Sequence, residues 1–307
     1  MNIIGYANKF SFRNNEEVEI KVSSLNIKTY KANLVKIIQG DTNKEGPGFK
    51  EEKIGINFRT NYKARYQKIP IGSYGLVKNK KIFNKVENIL LSILIFPTLL
   101  KSGNQQVIIS KFCDETNTGF RLFIDKNDNI NFIINNKKIK LTKKLNQKKW
   151  HLVKAGYNYK KDNMFLYIKS YDENNLEFET AKIQKKISKK ININNTKDFL
   201  IGAKKNYNKI DGFFNGKLDT LKIYNNNDIS LTSKNKKPFI EFDFSKLLHT
   251  NKIIDISKNK LHGVLFNHPA RAITGFNWNE SSRNWKNNPE MYTSIHFHED
   301  DLTDCNW

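Results

Sequence analysis

Apolar residues recur at every second position in short runs along most of the chain, and clusters of Asn, Asp, Gly and Lys separate the runs at close intervals. Alternation of this kind gives a pleated strand one apolar face and leaves no stripe at helical spacing, so the chain is restricted to short antiparallel strands that must pack sheet on sheet. Residues 17–22 (EVEIKV) place Val18, Ile20 and Val22 on one face, after the turn former Arg13-Asn14-Asn15-Glu16, and residues 30–38 alternate again before Gln39-Gly40-Asp41 ends the run. Over 43–66 the pattern loosens into a loop around Gly46-Pro47-Gly48. Strand character returns at 73–77 and continues through ILLSILIF, QQVIISKF, GFRLFID, INFIIN, WHLVKAGYN, MFLYIKSY, FETAKI, DFLIGA and GKLDTLKIY. Between two of these, Lys126-Asn127-Asp128-Asn129 has the composition of a hairpin turn with an Asn at positive φ. Residues 225–237 form a polar excursion, after which 239–244 alternate again and 255–266 read as turn then strand.

At 307 residues the chain has room for two cores, and 21 Phe, 12 Tyr and 4 Trp supply the bulk to fill them. The excess of 53 Lys+Arg over 30 Asp+Glu gives a formal charge of +23, which raises the question of a nucleic-acid or anionic-membrane partner. Neither is expected. The arginines are confined to Arg13, Arg59, Arg65, Arg121, Arg271 and Arg283, whereas phosphate and base recognition favours the guanidinium fork. The remaining cations are lysines interleaved with Asn and Ile, which reads as a solvated basic surface. Cys113 and Cys305 stand far apart with no second cysteine at metal-ligand spacing, so no disulfide framework is indicated. The start, NIIGYANKFSF, lacks the basic, apolar and small-residue regions of a signal peptide, which makes the cytoplasm the expected compartment. The most apolar run, 89–100, is interrupted by Ser92 and Pro97, falls short of the roughly 20 residues of a membrane helix, and reads as buried strand.

The segments Trp150-His151-Leu152-Val153 with Tyr157, Leu166-Tyr167-Ile168, and Phe214-Asn215-Gly216-Lys217-Leu218-Asp219 through Ile223-Tyr224 resemble a laminin-G or concanavalin A-like sandwich, a likeness that bears on fold more than function. The flanks are more specific. Gly5-Tyr6-Ala7, Gly40-Asp41 with Gly46-Pro47-Gly48-Phe49-Lys50-Glu51-Glu52, and Gly72-Ser73-Tyr74 resemble the N-terminal region of the N,N-dimethylformamidase large (beta) subunit family. So do Phe242-Asp243-Phe244-Ser245, Asp255-Ile256-Ser257 with Leu261-His262-Gly263, the run from Pro269 through Ala270-Arg271-Ala272-Ile273-Thr274-Gly275-Phe276-Asn277 to Trp278, and Ile295-His296-Phe297-His298-Glu299-Asp300-Asp301. The resemblance spans essentially the whole chain. Departures are Phe276 for the family's His, Glu299 for its Asp, Gln39 for its Cys, and Cys305 and Asn306 for small residues.

The resemblance implies a hydrolase that cleaves a small tertiary amide with a mononuclear iron held by two tyrosinates and a glutamate, all on a catalytic portion following this region, so that no cofactor is expected in this chain. It also implies a small subunit as partner. The expected organisation is all-β: a small N-terminal sandwich-like domain over 1–82, a concanavalin A/laminin-G-like jelly roll over 83–268, and the start of the catalytic region over 269–307. The expected role is an N-terminal scaffold and assembly part of the amide hydrolase, itself without catalytic residues. The alternative is a free-standing module that binds a glycan or peptide.

Candidate chemistry concentrates at the C-terminal end. His296 and His298, one residue apart, point to one face of a strand, with Glu299, Asp300 and Asp301 directly after. Such a set suits Zn²⁺ or Fe²⁺, or a polar interface or site edge toward the catalytic portion, and the second role is preferred because a closed metal site draws ligands from several strands. Arg271 is placed at the same edge, clamping a carboxylate or bridging with Arg283 to the acidic run at 299–301. Asp114, Asp125 and Asp128 in sandwich loops suit calcium or the capping of turns. Trp278, Trp285 and Trp307 suit sugar stacking or core and interface anchoring.

Overall fold

The computed structural model describes residues 3–7, 13–55, 61–66, 71–172, 176–187, 190–207, 209–225, 237–276 and 293–299. The chain divides into two compact units, Met1–Ile69 with Cys305–Trp307, and Pro70–Asp304.

The front unit contains three two-stranded antiparallel ribbons: Ile3–Ala7 with Ile20–Ser24, Thr29–Tyr30 with Tyr62–Lys63, and Val35–Gly40 with Phe49–Lys53. Asn15 turns the chain at φ 67° before the Ile20–Ser24 strand. The segment 43–66, read as loop, supplies two of these strands. FKEEK carries one apolar side chain, so its strand state comes from the ladder it makes with Val35–Gly40, in which Gly40 faces Phe49 and Val35 faces Lys53. Ser24 is the one buried residue among those described in this unit. Its backbone N–H and its hydroxyl both donate to the carbonyl of Arg65, at 3.0 and 3.2 Å.

The second unit is a sandwich. One layer runs Lys137–Lys144, Asn129–Ile134, Thr118–Ile124, Gln106–Cys113, Phe199–Ile201, Tyr74–Val77, Gly263–Phe266 and Lys252–Asp255; the other runs Ile240–Asp243, Gly216–Tyr224, Ile89–Pro97, His151–Asn158, Asn163–Tyr171 and Glu177–Lys186. The layers join where Phe242 pairs with Asp255. Among the described residues, helical structure is limited to the 3₁₀ turns Lys81–Lys85 and Tyr159–Lys161, and no helix is long and apolar enough to cross a membrane.

Alternation explains the core. Ile89, Leu91, Ile93 and Ile95 leave the central strand on one face and are fully buried against residues of the opposite layer such as Leu122, Ile124 and Phe132. Each such side chain contributes about 1.5–3 kcal/mol on removal from water. Leu90 and Leu94 on the other face are also buried, which accounts for a run too apolar to alternate cleanly. In the hairpin after Ile124 the positive φ falls on Asp128, at 63°, and not on an Asn. Asp125 sets this geometry: its Oδ1 accepts the backbone N–H groups of Asn127 and Asn129, both at 3.0 Å. The excursion at 226–236 lies outside the described residues.

The motif Asp255-Ile256-Ser257 with Leu261-His262-Gly263 forms a closed polar knot. The fully buried Asp255 accepts from the backbone N–H of Glu241 (3.0 Å), Ser257 (2.9 Å) and Leu261 (2.7 Å), and from the Ser257 hydroxyl (2.9 Å). His262 Nδ1 accepts the backbone N–H of Asp255 itself, at 3.1 Å. A carboxylate saturated in this way is a folding element.

Candidate functional site

The strand Ser294–Phe297 adds to the edge of Gly216–Tyr224, with Gly216 facing Phe297, Lys217 facing His296 and Leu218 facing Ile295. Ser294, Ile295 and Phe297 are buried, while His296 and His298 are half-buried with ring centroids 6.2 Å apart. His296 Nε2 lies 3.4 Å from the hydroxyl of Thr98. His298 is fixed by its backbone: its N–H donates to Ser73 Oγ at 3.0 Å, and its carbonyl accepts the Ser73 N–H at 2.9 Å. The N–H of Glu299 donates to Asn215 Oδ1 at 3.2 Å. Asp300 and Asp301 lie outside the described residues, as do Trp278, Arg283, Trp285 and Trp307.

Asn215 links this strand to the sandwich. Its backbone N–H donates to Gln106 Oε1 at 2.9 Å and its carbonyl accepts the N–H of Thr98 at 3.0 Å. Gln106 in turn donates to the carbonyl of Leu99 at 2.7 Å. Neither Asn215 nor Gln106 stands out in the sequence as a site residue, since the contacts that bring them together span distant parts of the chain.

The segment before the strand is held by a second buried carboxylate. Asp219 is 3% exposed, and its Oδ2 accepts the backbone N–H of Phe276 (3.0 Å) and the hydroxyls of Thr293 (2.7 Å) and Ser294 (3.3 Å). A Cβ at Gly275 would collide with Asp219 Oδ2 and Thr293 Oγ1, which explains glycine there. Phe276 completes an aromatic cluster, edge-on to Trp150 at 6.0 Å and to Tyr171 at 4.6 Å, with Phe96 5.2 Å from Trp150. Burial alone pushes the Lys217 ammonium down, and that group donates to Thr274 Oγ1 at 3.0 Å over the Phe96 ring.

Arg271 lies on the strand Ala270–Ile273, which pairs with Ser294–Phe297 through Ala270 and His296. Nη1 donates to the carbonyls of Leu247, Thr250 and Lys252, and Nη2 to those of Phe244 and Lys246, at 2.7–3.0 Å. The planar fork is taken up by one loop of backbone and makes no contact with a carboxylate among the described residues.

The loop aspartates do not converge. Asp114 pairs with Arg121 at 2.7 Å, Asp125 pairs with Lys140 at 3.2 Å while capping its own turn, and Asp128 Oδ1 accepts the N–H of Lys101 at 2.9 Å. Burial raises the Asp125 pKa, but the hydrogen bonds from Asn129, Asn131 and Asn127 outweigh it and hold the carboxyl below the usual range. Among the described residues no group of three or more His, Cys, Asp and Glu is placed to hold a metal ion.

A buried cation was not anticipated. Lys111 is 3% exposed, and its ammonium donates to Asn79 Oδ1 (2.9 Å), to the carbonyls of Asn195 (3.1 Å) and Lys197 (2.6 Å), and more distantly to Asn195 Oδ1. Burial pushes it down to about 8, with Asp198 pulling the other way. It fastens the segment before Phe199–Ile201 to Gln106–Cys113. The available signal was parity, because Lys111 shares a strand face with the core residue Ile109.

No protein-family model matches the chain. It is 28% identical to the N,N-dimethylformamidase beta subunit of Alcaligenes sp and 27% identical to that of Paracoccus aminophilus, in each case over 99% of this chain and 44% of the relative. Among solved structures, a Bacteroides ovatus protein provisionally assigned as carbohydrate binding covers 71% of this chain and 65% of its own at 11% identity, with a TM-score of 0.47. A pentraxin from Limulus polyphemus covers 54% of this chain and 74% of its own at 17% identity, with a TM-score of 0.37. Likenesses this distant say nothing of function. The sequence is that of a relative of the N,N-dimethylformamidase beta subunits, spanning less than half of their length.

Proposed function

We propose that this chain is a scaffold and assembly region of an N,N-dimethylformamidase-like amide hydrolase, with amide cleavage performed by residues on polypeptide outside it. The observation that carries this reading is the sequence match itself, which runs through 99% of the chain yet covers 44% of each relative. The front unit supports it. Its ribbons leave Ile4, Ile20, Ile37 and Phe49 more than half exposed, although burying such side chains is what stabilises a sheet. Faces of this kind call for covering polypeptide, and the remainder of the enzyme is the proposed cover.

In this reading the sandwich supplies rigidity. Asn215, Asp219 and Ser73 fix Ser294–Phe297 in the sheet, so that His296, His298 and Glu299 present a polar edge to the neighbouring catalytic polypeptide, where the implied iron would reside. Preorganisation of a contact by a rigid element is the physical contribution.

The test is to read the frame adjoining this gene and to express its product together with the chain. Assembly into one complex that hydrolyses N,N-dimethylformamide is expected, and Ile37→Glu with Phe49→Glu should abolish assembly while leaving the sandwich folded. A monomeric chain that ignores such a product and binds a glycan or peptide would instead establish a free-standing module.

A further inference from the structure

A pocket of about 430 Å³ opens between the 3₁₀ turn Lys81–Lys85, the end of Gly216–Tyr224 and the turn at Lys258. Its size falls within the roughly 300–1,000 Å³ of small-molecule sites. Ile82, Pro238 and Phe239, all half-buried, form an apolar floor, and Lys85, Lys237 and Lys258 are exposed at the rim.

The walls are fixed. Asn225 accepts the N–H of Glu87 at 3.2 Å and donates to the carbonyl of Lys85 at 2.9 Å, while the carbonyl of Phe239 accepts from Asn259 Nδ2 at 2.8 Å and from Ser257 Oγ at 3.0 Å. Phe239 also packs edge-on against the buried Phe83 at 5.8 Å.

The charge is unbalanced. Among the described residues lining the pocket there is no carboxylate, and the described acids nearby are engaged: Glu87 pairs with Lys190 and Glu241 with Lys222, each at 2.6 Å, and Asp255 is saturated within its knot. Three lysines thus line one pocket with no ion-pair partner among the described residues. Lysine serves phosphate as a point charge, and convergent like charges at a concave surface concentrate anions there.

We propose that this pocket binds a small organic dianion, namely a phosphate monoester with a compact apolar body. Its phosphate sits among Lys85, Lys237 and Lys258, and its body rests on Ile82, Pro238 and Phe239. The site belongs to the sandwich and is independent of what covers the front unit.

The test uses the full chain and phenyl phosphate as probe, followed by calorimetry and by phosphorus NMR line broadening at low salt, with inorganic phosphate and phenol as comparison ligands. Phenyl phosphate should bind more tightly than either. Replacing the rim lysines together (Lys85→Gln, Lys237→Gln, Lys258→Gln) should weaken it about tenfold or more, whereas the charge-matched set Lys126→Gln, Lys137→Gln, Lys160→Gln should leave it unchanged. Equal weakening by the two sets, equal binding of inorganic and phenyl phosphate, or no binding of phenyl phosphate would overturn the proposal.

Discussion

Asp219 accepts the backbone N–H of Phe276 at 3.0 Å, across 57 positions of sequence. With Thr293 and Ser294 on the same oxygen, this bond ties the end of the segment that begins at Pro269 to the Gly216–Tyr224 strand of the sandwich. Asp219→Ala leaves the Phe276 N–H and two hydroxyls without their acceptor, so a loss of about 2–4 kcal/mol is expected. Urea unfolding measures the loss, and hydrogen exchange at the Phe276 amide should accelerate selectively.

Arg271→Lys keeps the charge and loses the fork. A single ammonium cannot serve the five carbonyls of 244–252 that Arg271 now reaches, so the loop should loosen at a cost of about 1–3 kcal/mol. Faster amide exchange confined to 244–252 is the expected signature, against an unchanged core.

Lys111→Met removes the donor to Asn79, Asn195 and Lys197 and should cost about 2–4 kcal/mol near neutrality. The pH dependence is distinctive. Because the native ammonium is held at about 8 and an unfolded lysine near 10.4, the native state sheds its proton first, and the unfolded state binds more protons across that interval. Stability from this group therefore rises with pH over the window. The gap between wild type and variant should widen from pH 8 to 10 in urea titrations; a constant gap would show that Lys111 titrates normally.

His151 is fully buried, with Nδ1 2.8 Å from Ser170 Oγ and Nε2 3.0 Å from the carbonyl of Asn146, and burial holds its pKa below the ordinary value despite that carbonyl. As pH falls below about 6.5, the unfolded chain takes up the proton before the native one, so stability declines until native His151 also protonates. His151→Gln should remove this part of the acid-side slope, whatever it does to the absolute stability.

The strands were legible because their signal is local: 89–97, 106–113 and 151–158 carry their own alternation or apolar density. Phe49–Lys53 was not, since its charged sequence becomes strand through a partner ladder. The same distinction governs the site. His296 and His298 share a face by spacing alone, which sequence displays, whereas Asn215 meets Gln106 across 109 positions and Lys111 meets Lys197 across 86. Arg271 binds backbone carbonyls, which leave no mark in a sequence. Asp255 and His262 stood out as motif residues, and their saturation with local partners accounts for them structurally.

The proposed scaffold role requires that amide cleavage reside outside these residues. Its most direct measurement is the rate of N,N-dimethylformamide hydrolysis by the purified chain supplied with ferrous or ferric iron, followed as dimethylamine release. The rate should equal that of the buffer blank, with no stoichiometric iron retained after desalting. Sustained turnover by the chain alone, lost on replacing His296 or His298, would contradict it.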